Sequence, residues 1–173
     1  MHRAFVFAFV LAACQKGSAP PAAGGSGSAA PVDDTEHVAY VPHGKVELVE
    51  EQPAADLPAA IAAEVARAEQ ANMRPVVYVG ATWCEPCRYF HDAAVSGALD
   101  ARFGGTRFLA YDVDRDGAQL DAAGYESQLI PLFAIPGADG KASGLKIQGS
   151  IKGDKAVDQI SPRLEHLLEV PTK

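Results

Sequence analysis

Hydrophobic positions along the chain follow two alternating patterns, one typical of strands and one typical of helices. Short apolar or alternating runs predict five β-strands, at residues 46–49, 75–81, 107–113, 131–135 and 144–151. Apolar side chains at helical spacing predict helices at residues 56–72, 85–101, 118–123 and 154–168. This alternation of strands and helices predicts an α/β fold, with a central mixed β-sheet flanked by helices.

Local sequence signals refine these elements. Asp56 is expected to cap the first helix, and the second strand is so continuously apolar that we expect it to be covered on both faces. The pair Asp139-Gly140 predicts a hairpin turn between the last two strands. Pro162 lies inside the C-terminal helical pattern, so we expect that helix to be broken there, with Ser161 as a second N-cap.

The first residues have the features of a secretory signal. A short basic start at residues 1–3 is followed by residues 4–13, which have no polar side chain, and by small residues directly before Cys14. At about 1.5 Å per residue, this run spans only about half of the hydrocarbon core of a bilayer, so it cannot be a membrane-spanning helix. We therefore predict a signal peptide at residues 1–13.

Residues 11–14 (LAAC) resemble a bacterial lipobox. The resemblance implies a lipoprotein, in which the thiol of Cys14 is lipidated and Cys14 becomes the N-terminus after cleavage. The chain has three cysteines, and lipidation of Cys14 leaves Cys84 and Cys87 as an even pair. An ordinary cleaved signal peptide with an incidental cysteine is the alternative.

The segment after Cys14 has the composition of a flexible linker. Residues 15–31 are almost entirely Gly, Ala, Ser and Pro, which bury too little to offset the entropy of ordering the backbone. We predict a lipidated cysteine and a disordered tether at residues 14–36, followed by a single folded domain at residues 37–173.

The overall composition fits one globular core. Of the 173 residues, 48% are hydrophobic and 21% are charged. The chain has 15 Lys and Arg against 22 Asp and Glu, which gives a net charge of −7 and a pI near 5.1. A nucleic-acid binder needs clustered positive charge, so this balance argues against a nucleic-acid partner.

The segment 83–87 (WCEPC) carries the candidate chemistry, because it follows a predicted strand and opens a predicted helix. At a helix N-terminus, free N–H groups and the helix dipole stabilise the thiolate of Cys84, which we expect to be exposed. Cys87 lies one turn further along and can close a disulfide with Cys84. Pro86 stiffens this first turn without removing a helical hydrogen bond.

With this motif, the sequence resembles the thioredoxin superfamily over most of residues 46–168. Its other anchors are the DVD run at residues 112–114 and the pair Ile130-Pro131 before a strand and hairpin. The resemblance implies a thioredoxin fold in which the Ile130–Pro131 peptide bond is cis and Pro131 faces the cysteines. It also implies that the backbone of Ile130 pairs with a substrate and that Trp83 lies on the surface beside the first cysteine.

Within the superfamily, the chain is most similar to lipoprotein and periplasmic thioredoxins. These include the C-terminal domain of the inner-membrane disulfide reductase and the cytochrome-c-maturation thioredoxins, which also carry Glu-Pro between their cysteines. The resemblance implies a thiol–disulfide oxidoreductase in which Cys84 attacks a client disulfide and Cys87 resolves the mixed disulfide. It implies no metal, nucleotide or haem cofactor.

Two positions depart from the pattern of typical thioredoxins. The family has a buried Asp six residues before the first cysteine, where it relays a proton for the second cysteine, and this chain has Tyr78 there. The relay must therefore differ or be absent, with Glu85 or water as substitutes. The proline that kinks the family's helix, five residues after the second cysteine, is replaced by Asp92.

The carboxylate of Glu85 bears on the direction of electron flow, since it opposes the stabilisation of the Cys84 thiolate by the helix dipole. A less stabilised thiolate makes the dithiol a stronger reductant, so we expect a reductase. Its clients would be disulfide-containing envelope proteins, and a membrane or periplasmic thiol donor would restore the dithiol in that oxidising compartment. Gln15, in place of the Asp that holds some enterobacterial lipoproteins at the inner membrane, favours the outer membrane.

Other interpretations of these residues stay open. The cysteines could be half of a zinc site, for which the later imidazoles are His91 and His166, or a structural disulfide in a non-catalytic adaptor. Residues 112–117 match the first half of an EF-hand loop, but its twelfth position is Ala123 instead of a bidentate Glu. A polar strand-to-helix loop, with Asp116 near a helix start, is the favoured interpretation of this run.

Overall fold

The computed structural model describes residues 40–171. The predicted signal peptide (1–13), the lipidation of Cys14 and the predicted tether (14–36) lie outside these residues and stay predictions. Within residues 40–171, no helix is both long enough and apolar enough to cross a membrane.

Strands and helices alternate along the described residues. The strands are β1 (Glu47–Glu50), β2 (Arg74–Gly80), β3 (Thr106–Asp112), β4 (Leu132–Pro136) and β5 (Ala142–Gln148). The helices are α1 (Leu57–Gln70), α2 (Glu85–Val95), α3 (Asp100–Phe103), α4 (Val113–Ala122) and α5 (Ala156–Glu169). All five predicted strands are therefore present, and Asp56 caps α1 as predicted.

The strands form one mixed sheet in the order β1-β3-β2-β4-β5. Strands β1, β3 and β2 are parallel to each other, β4 is antiparallel to β2, and β5 is antiparallel to β4. The predicted turn at Asp139-Gly140 lies between β4 and β5, and Gly140 has a φ of +76° there. The predicted mixed sheet is confirmed.

Strand β2 is covered on both faces, as its apolar sequence predicts. Val76 and Tyr78 belong to a cluster that also contains Phe90 of α2 and side chains of α5, whereas Val77 and Val79 pack with side chains of α1. Because β2 is fixed between these two layers, the loop at its carboxyl end, which carries the motif cysteines, starts from a rigid position.

The C-terminal helix α5 is continuous, so the predicted break at Pro162 is wrong. Ser161 does not cap a second helix, because its Oγ donates to the carbonyl of Val157, 2.8 Å away. A proline inside a helix costs about 3 kcal/mol. Ile160 and Leu164 on either side of it are fully buried, and each such side chain contributes roughly 1.5–3 kcal/mol, so the continuous apolar stripe outweighs that cost.

The predicted helix at residues 85–101 is two helices, α2 and α3. They are separated by a turn in which Gly97 has a φ of +79°, a conformation that ends a helix readily at glycine. Asp100 begins α3, and its Oδ1 accepts a hydrogen bond from the backbone N–H of Val46 at 2.9 Å. This contact ties the turn to the segment before β1.

The helix predicted near residues 118–123 begins earlier, at Val113. The carboxylate of Asp112 accepts hydrogen bonds from the backbone N–H groups of Asp114 and Arg115, at 2.8 and 3.3 Å, and so caps α4 directly at the end of β3. The strand therefore passes into the helix without a loop.

Candidate functional site

The motif cysteines lie where β2 leads into α2. Cys84 is the N-cap residue of α2, and its Sγ accepts a hydrogen bond from the backbone N–H of Cys87 at 3.3 Å. Pro86 occupies the first turn of the helix, where its missing N–H leaves no intrahelical bond unmade. A sulfur in this position lies close to the free backbone N–H groups and the positive end of the helix dipole, and both stabilise a thiolate.

The two sulfurs are joined in a disulfide, with the Cα atoms 5.2 Å apart. Cys84 is 5% exposed and Cys87 is 2% exposed. The expectation that Cys84 is exposed is therefore wrong for this disulfide form. The reason is that both cysteines pack into the hydrophobic cluster that contains Phe90, so only a small part of Cys84 reaches the surface.

Trp83 and Glu85 flank Cys84. Trp83 is 67% exposed, on the surface as the resemblance implies, and its Nε1 donates to Oδ2 of Asp114 at 2.7 Å. Glu85 is half-buried in the first turn of α2, next to the buried Pro86. The hydrogen bond fixes the indole beside the motif, and the carboxylate of Glu85 places negative charge at the helix end that holds the Cys84 sulfur.

The Ile130–Pro131 peptide bond is cis, as predicted. The pairing of β2 with β4 sets Val79 opposite Leu132, so Pro131 lies beside the end of β2 that leads to the motif. Ile130 packs against the cluster that contains both cysteines. The structure thus brings the predicted supporting residues to the same end of the sheet, while their roles toward a substrate stay predictions.

Tyr78 lies on β2, six residues before Cys84. It is buried, and its hydroxyl donates to the backbone carbonyl of Cys87 at 2.9 Å. Burial raises the pKa of Tyr78, so the phenol stays protonated at neutral pH. The side chain can therefore hold the backbone of Cys87, but it cannot accept a proton from the Cys87 thiol. The tyrosine at position 78 is evident in the sequence, whereas its hydrogen bond to Cys87 is not.

A cavity of about 580 Å³ lies at the carboxyl ends of the parallel strands and reaches Cys87. Its lining includes Tyr78, Glu50 at the end of β1, and His91 of α2. Oε1 of Glu50 lies 2.8 Å from Nε2 of His91. This pair is not evident in the sequence because 41 residues separate its members, although His91 shares a helix face with Cys87, four residues earlier.

The aspartates of residues 112–117 form hydrogen bonds or an ion pair with other groups of the protein. Asp112 caps α4, Asp114 accepts from Trp83, and Asp116 is buried and pairs with Arg115 at 2.6 Å. These contacts belong to the junction of β3 and α4, so the polar loop predicted here is instead the end of the strand and the first turn of the helix, in which Asp116 lies. Across residues 40–171, no group of three or more His, Cys, Asp and Glu side chains is placed to hold a metal ion.

Solved structures similar to this chain include three thioredoxins. No family model matches the sequence, and the search of curated proteins finds no match. Thioredoxin O1 of Arabidopsis thaliana in its oxidized state has a similar fold, with 18% identity, a TM-score of 0.44, and 72% of this chain and 99% of that chain covered. A poplar thioredoxin h is 17% identical, with a TM-score of 0.46, and the match covers 74% of this chain and 100% of that chain. The thioredoxin of Trichomonas vaginalis is 23% identical, with a TM-score of 0.40, and the match covers 69% of this chain and 96% of that chain. The described residues form the mixed five-stranded β-sheet flanked by helices that the sequence predicts.

Proposed function

We propose that this chain is a thiol–disulfide oxidoreductase and that Cys84 and Cys87 carry the reaction. The observation that carries the proposal is the position of the disulfide, because Cys84 caps α2 and its sulfur accepts the N–H of Cys87. In the reduced form, the same N–H group and the helix dipole favour the Cys84 thiolate. Trp83 and the Ile130–Pro131 pair border the motif, where the chain of a client protein would lie.

The proposed cycle transfers two electrons from the cysteine pair to a client disulfide. The Cys84 thiolate attacks one client sulfur, so a bond between Cys84 and that sulfur forms while the client S–S bond breaks, and the released client thiolate takes a proton from solvent. The Cys87 thiolate then attacks Sγ of Cys84, which forms the Cys84–Cys87 disulfide and releases the second client thiolate. A thiol donor reduces the pair again.

The proposed direction of flow is reduction of clients, and it rests on the charge of Glu85. A negative charge near a helix N-terminus destabilises an adjacent thiolate by roughly 0.3–1 kcal/mol. For a two-electron couple this lowers the reduction potential by about 6–21 mV. We expect Glu85→Gln to raise the potential by that amount. A wild-type potential as oxidising as about −120 mV, the value of strong periplasmic oxidants, would contradict a reductase.

The proposed location is the bacterial cell envelope, with the domain tethered through a lipid on Cys14 and facing the periplasm, the outer membrane being favoured. The support is the basic start, the apolar run and the small residues before Cys14, followed by a Gly, Ala, Ser and Pro tether. Metabolic labelling with a fatty acid tests the anchor, because the wild-type chain should take up label and Cys14→Ser should not.

The activity is tested by the reduction of insulin in the presence of dithiothreitol, followed as turbidity. The wild-type chain should accelerate precipitation well above the background rate, and Cys84→Ser should not. The exposed histidine variant His166→Gln, which leaves the motif untouched, is the matched control and should behave as wild type. Equal background rates for the wild type and Cys84→Ser would contradict an oxidoreductase.

One observation favours a second candidate, a binding module in which the disulfide only braces the fold. Cys84 is 5% exposed in the disulfide form, so a client has little access to its sulfur without movement of the surrounding side chains. Such an adaptor would bind clients beside Pro131 and would keep doing so in Cys84→Ser. The insulin assay separates the two candidates, since only the oxidoreductase loses its function in that variant.

A further inference from the structure

The resolving step of the proposed cycle needs a proton acceptor for Cys87. The thiol must lose its proton before the sulfur can attack Cys84, yet an ordinary cysteine has a pKa near 8.5 and burial disfavours its thiolate. Cys87 is 2% exposed. The cavity of about 580 Å³ that it lines is large enough for several water molecules, each of which occupies roughly 30 Å³ in the liquid.

Four of the ionisable side chains that line this cavity cannot accept the proton. Burial raises the pKa of Tyr78 of β2 and of Tyr111 of β3, so both phenols stay protonated. The guanidinium groups of Arg88 on α2 and Arg115 on α4 have no acceptor site. The acceptor must therefore be a carboxylate or the imidazole.

The carboxylates in the lining belong to Glu50, Asp92 and Asp112. A carboxylate ordinarily has a pKa near 4, whereas an imidazole has one near 6.5 and is the stronger base for a thiol at neutral pH. Asp112 is also occupied, because its Oδ1 accepts the N–H groups at the start of α4. Glu50 and Asp92 instead flank His91, with carboxylate oxygens 2.8 Å from Nε2 and 3.5 Å from Nδ1.

We propose that His91, supported by Glu50, accepts the proton of Cys87 through water in this cavity during the resolving step. His91 lies one helical turn after Cys87 on the same face of α2, and both side chains line the cavity. Glu50 orients the ring by accepting the Nε2 proton, which leaves Nδ1 as the nitrogen that can take up a proton. This inference rests on the proposed function.

The resolving step moves one proton from Cys87 to His91 and exchanges one sulfur–sulfur bond for another. Cys87 gives its proton to a water molecule, which passes a proton to Nδ1 of His91. The Cys87 thiolate attacks Sγ of Cys84 in the mixed disulfide, so the Cys84–Cys87 bond forms while the bond between Cys84 and the client sulfur breaks. The client sulfur leaves with the electron pair as a thiolate, and the imidazolium releases its proton to solvent.

Dithiobis-nitrobenzoate, an aromatic disulfide that releases a coloured thiolate, separates the two steps. With one equivalent of reagent and the reduced full chain carrying Cys14→Ser, the first release of colour reports attack by Cys84 and the second reports attack by Cys87. We expect His91→Gln to slow the second release at least 10-fold at pH 7 and to leave the first unchanged. The pH profile of the second release should also differ between His91→Gln and the wild type.

Two further variants make the test specific. Glu50→Gln keeps the imidazole but removes its counter-charge, so the second release should slow by less than in His91→Gln, again with no change in the first. His166→Gln removes an exposed imidazole of α5 outside the cavity and should match the wild type in both releases.

The outcomes distinguish failure of the relay from failure of the proposed function. A His91→Gln chain with the wild-type rate and pH profile of the second release overturns the relay, and so does an equal slowing of both releases. A wild-type chain that never gives the second release overturns the proposed function and the relay with it.

Discussion

Removal of the Tyr78 hydroxyl separates the structural role of this side chain from a role in proton transfer. In Tyr78→Phe the aromatic ring is kept, and with it the stack on Phe133 at 5.2 Å and the tilted contact with Phe90 at 5.3 Å. Only the hydrogen bond from the hydroxyl to the carbonyl of Cys87, at 2.9 Å, is lost. The perturbation is therefore a single buried hydrogen bond.

The expected loss of unfolding free energy depends on the hydrogen bonds that remain to the carbonyl of Cys87. Because Cys87 lies in the first turn of α2, its carbonyl retains an intrahelical partner and is not left without a donor. The loss should then be that of one neutral hydrogen bond, about 0.5–1.5 kcal/mol of unfolding free energy. For a domain of this size, that corresponds to a fall in Tm of roughly 2–6 °C.

Urea denaturation of the oxidised protein, with the Cys84–Cys87 disulfide intact in both chains, measures the difference, and the slope of the transition should not change. A loss above about 3 kcal/mol would refute the reasoning, since it would mean that the ring packing is disturbed. The second release from dithiobis-nitrobenzoate should keep its rate at pH 7, because burial raises the pKa of Tyr78 and the phenol stays protonated. A 10-fold slowing there would place the hydroxyl in the proton path.

The remaining predictions concern stability. Hydrogen bonds to the backbone carbonyls of Val41 and Asn72 raise the pKa of His43 in the folded state. The contribution of His43 to the free energy of unfolding is therefore complete below about pH 6.5 and is lost as the pH rises through the folded pKa. His43→Gln should therefore lower the urea midpoint at about pH 5.5 and should match the wild type at about pH 8.5; a difference that grows with pH would contradict this sign. Gly140→Ala should be severely destabilising, by more than about 3 kcal/mol in a thermal melt, because a Cβ would overlap the carbonyl oxygen of Pro58 and the residue has a φ of +76°. Gly144→Ala, at a φ of +91° with no neighbour within 4 Å, is the matched control and should cost only about 1–2 kcal/mol.

Sequence patterns predicted those parts of the fold that local chemistry determines. The apolar run of β2, the cap at Asp56 and the turn at Asp139-Gly140 each depend on residues within a few positions, and each is present in the structure. The break at Pro162 was wrong because the burial of the flanking leucine and isoleucine side chains, a tertiary effect, outweighs the local cost of the proline.

The same distinction applies to the candidate site. The CxxC motif can be recognised in the sequence because the strand, the cysteines and the helix are contiguous. The cis bond before Pro131 was expected from the resemblance of the Ile130-Pro131 dipeptide. The pairing of His91 with Glu50 depends on how α2 packs beside β1, so no local pattern contains it. The burial of Cys84 likewise depends on the cluster around Phe90, which the sequence does not reveal at the motif itself.

The reaction of a reduced chain with a peptide disulfide, followed by intact mass, shows directly whether Cys84 is the attacking thiol. Two matched variants, each also carrying Cys14→Ser, keep one motif cysteine: Cys87→Ala keeps Cys84, and Cys84→Ala keeps Cys87. We expect Cys87→Ala to form a stable mixed disulfide on Cys84 rapidly. We expect Cys84→Ala to react at least 10-fold more slowly, because Cys87 does not cap the helix and its thiolate lacks the stabilisation that the helix N-terminus gives Cys84. Equal rates for the two variants, or no adduct on Cys84, would show that Cys84 is not the attacking thiol.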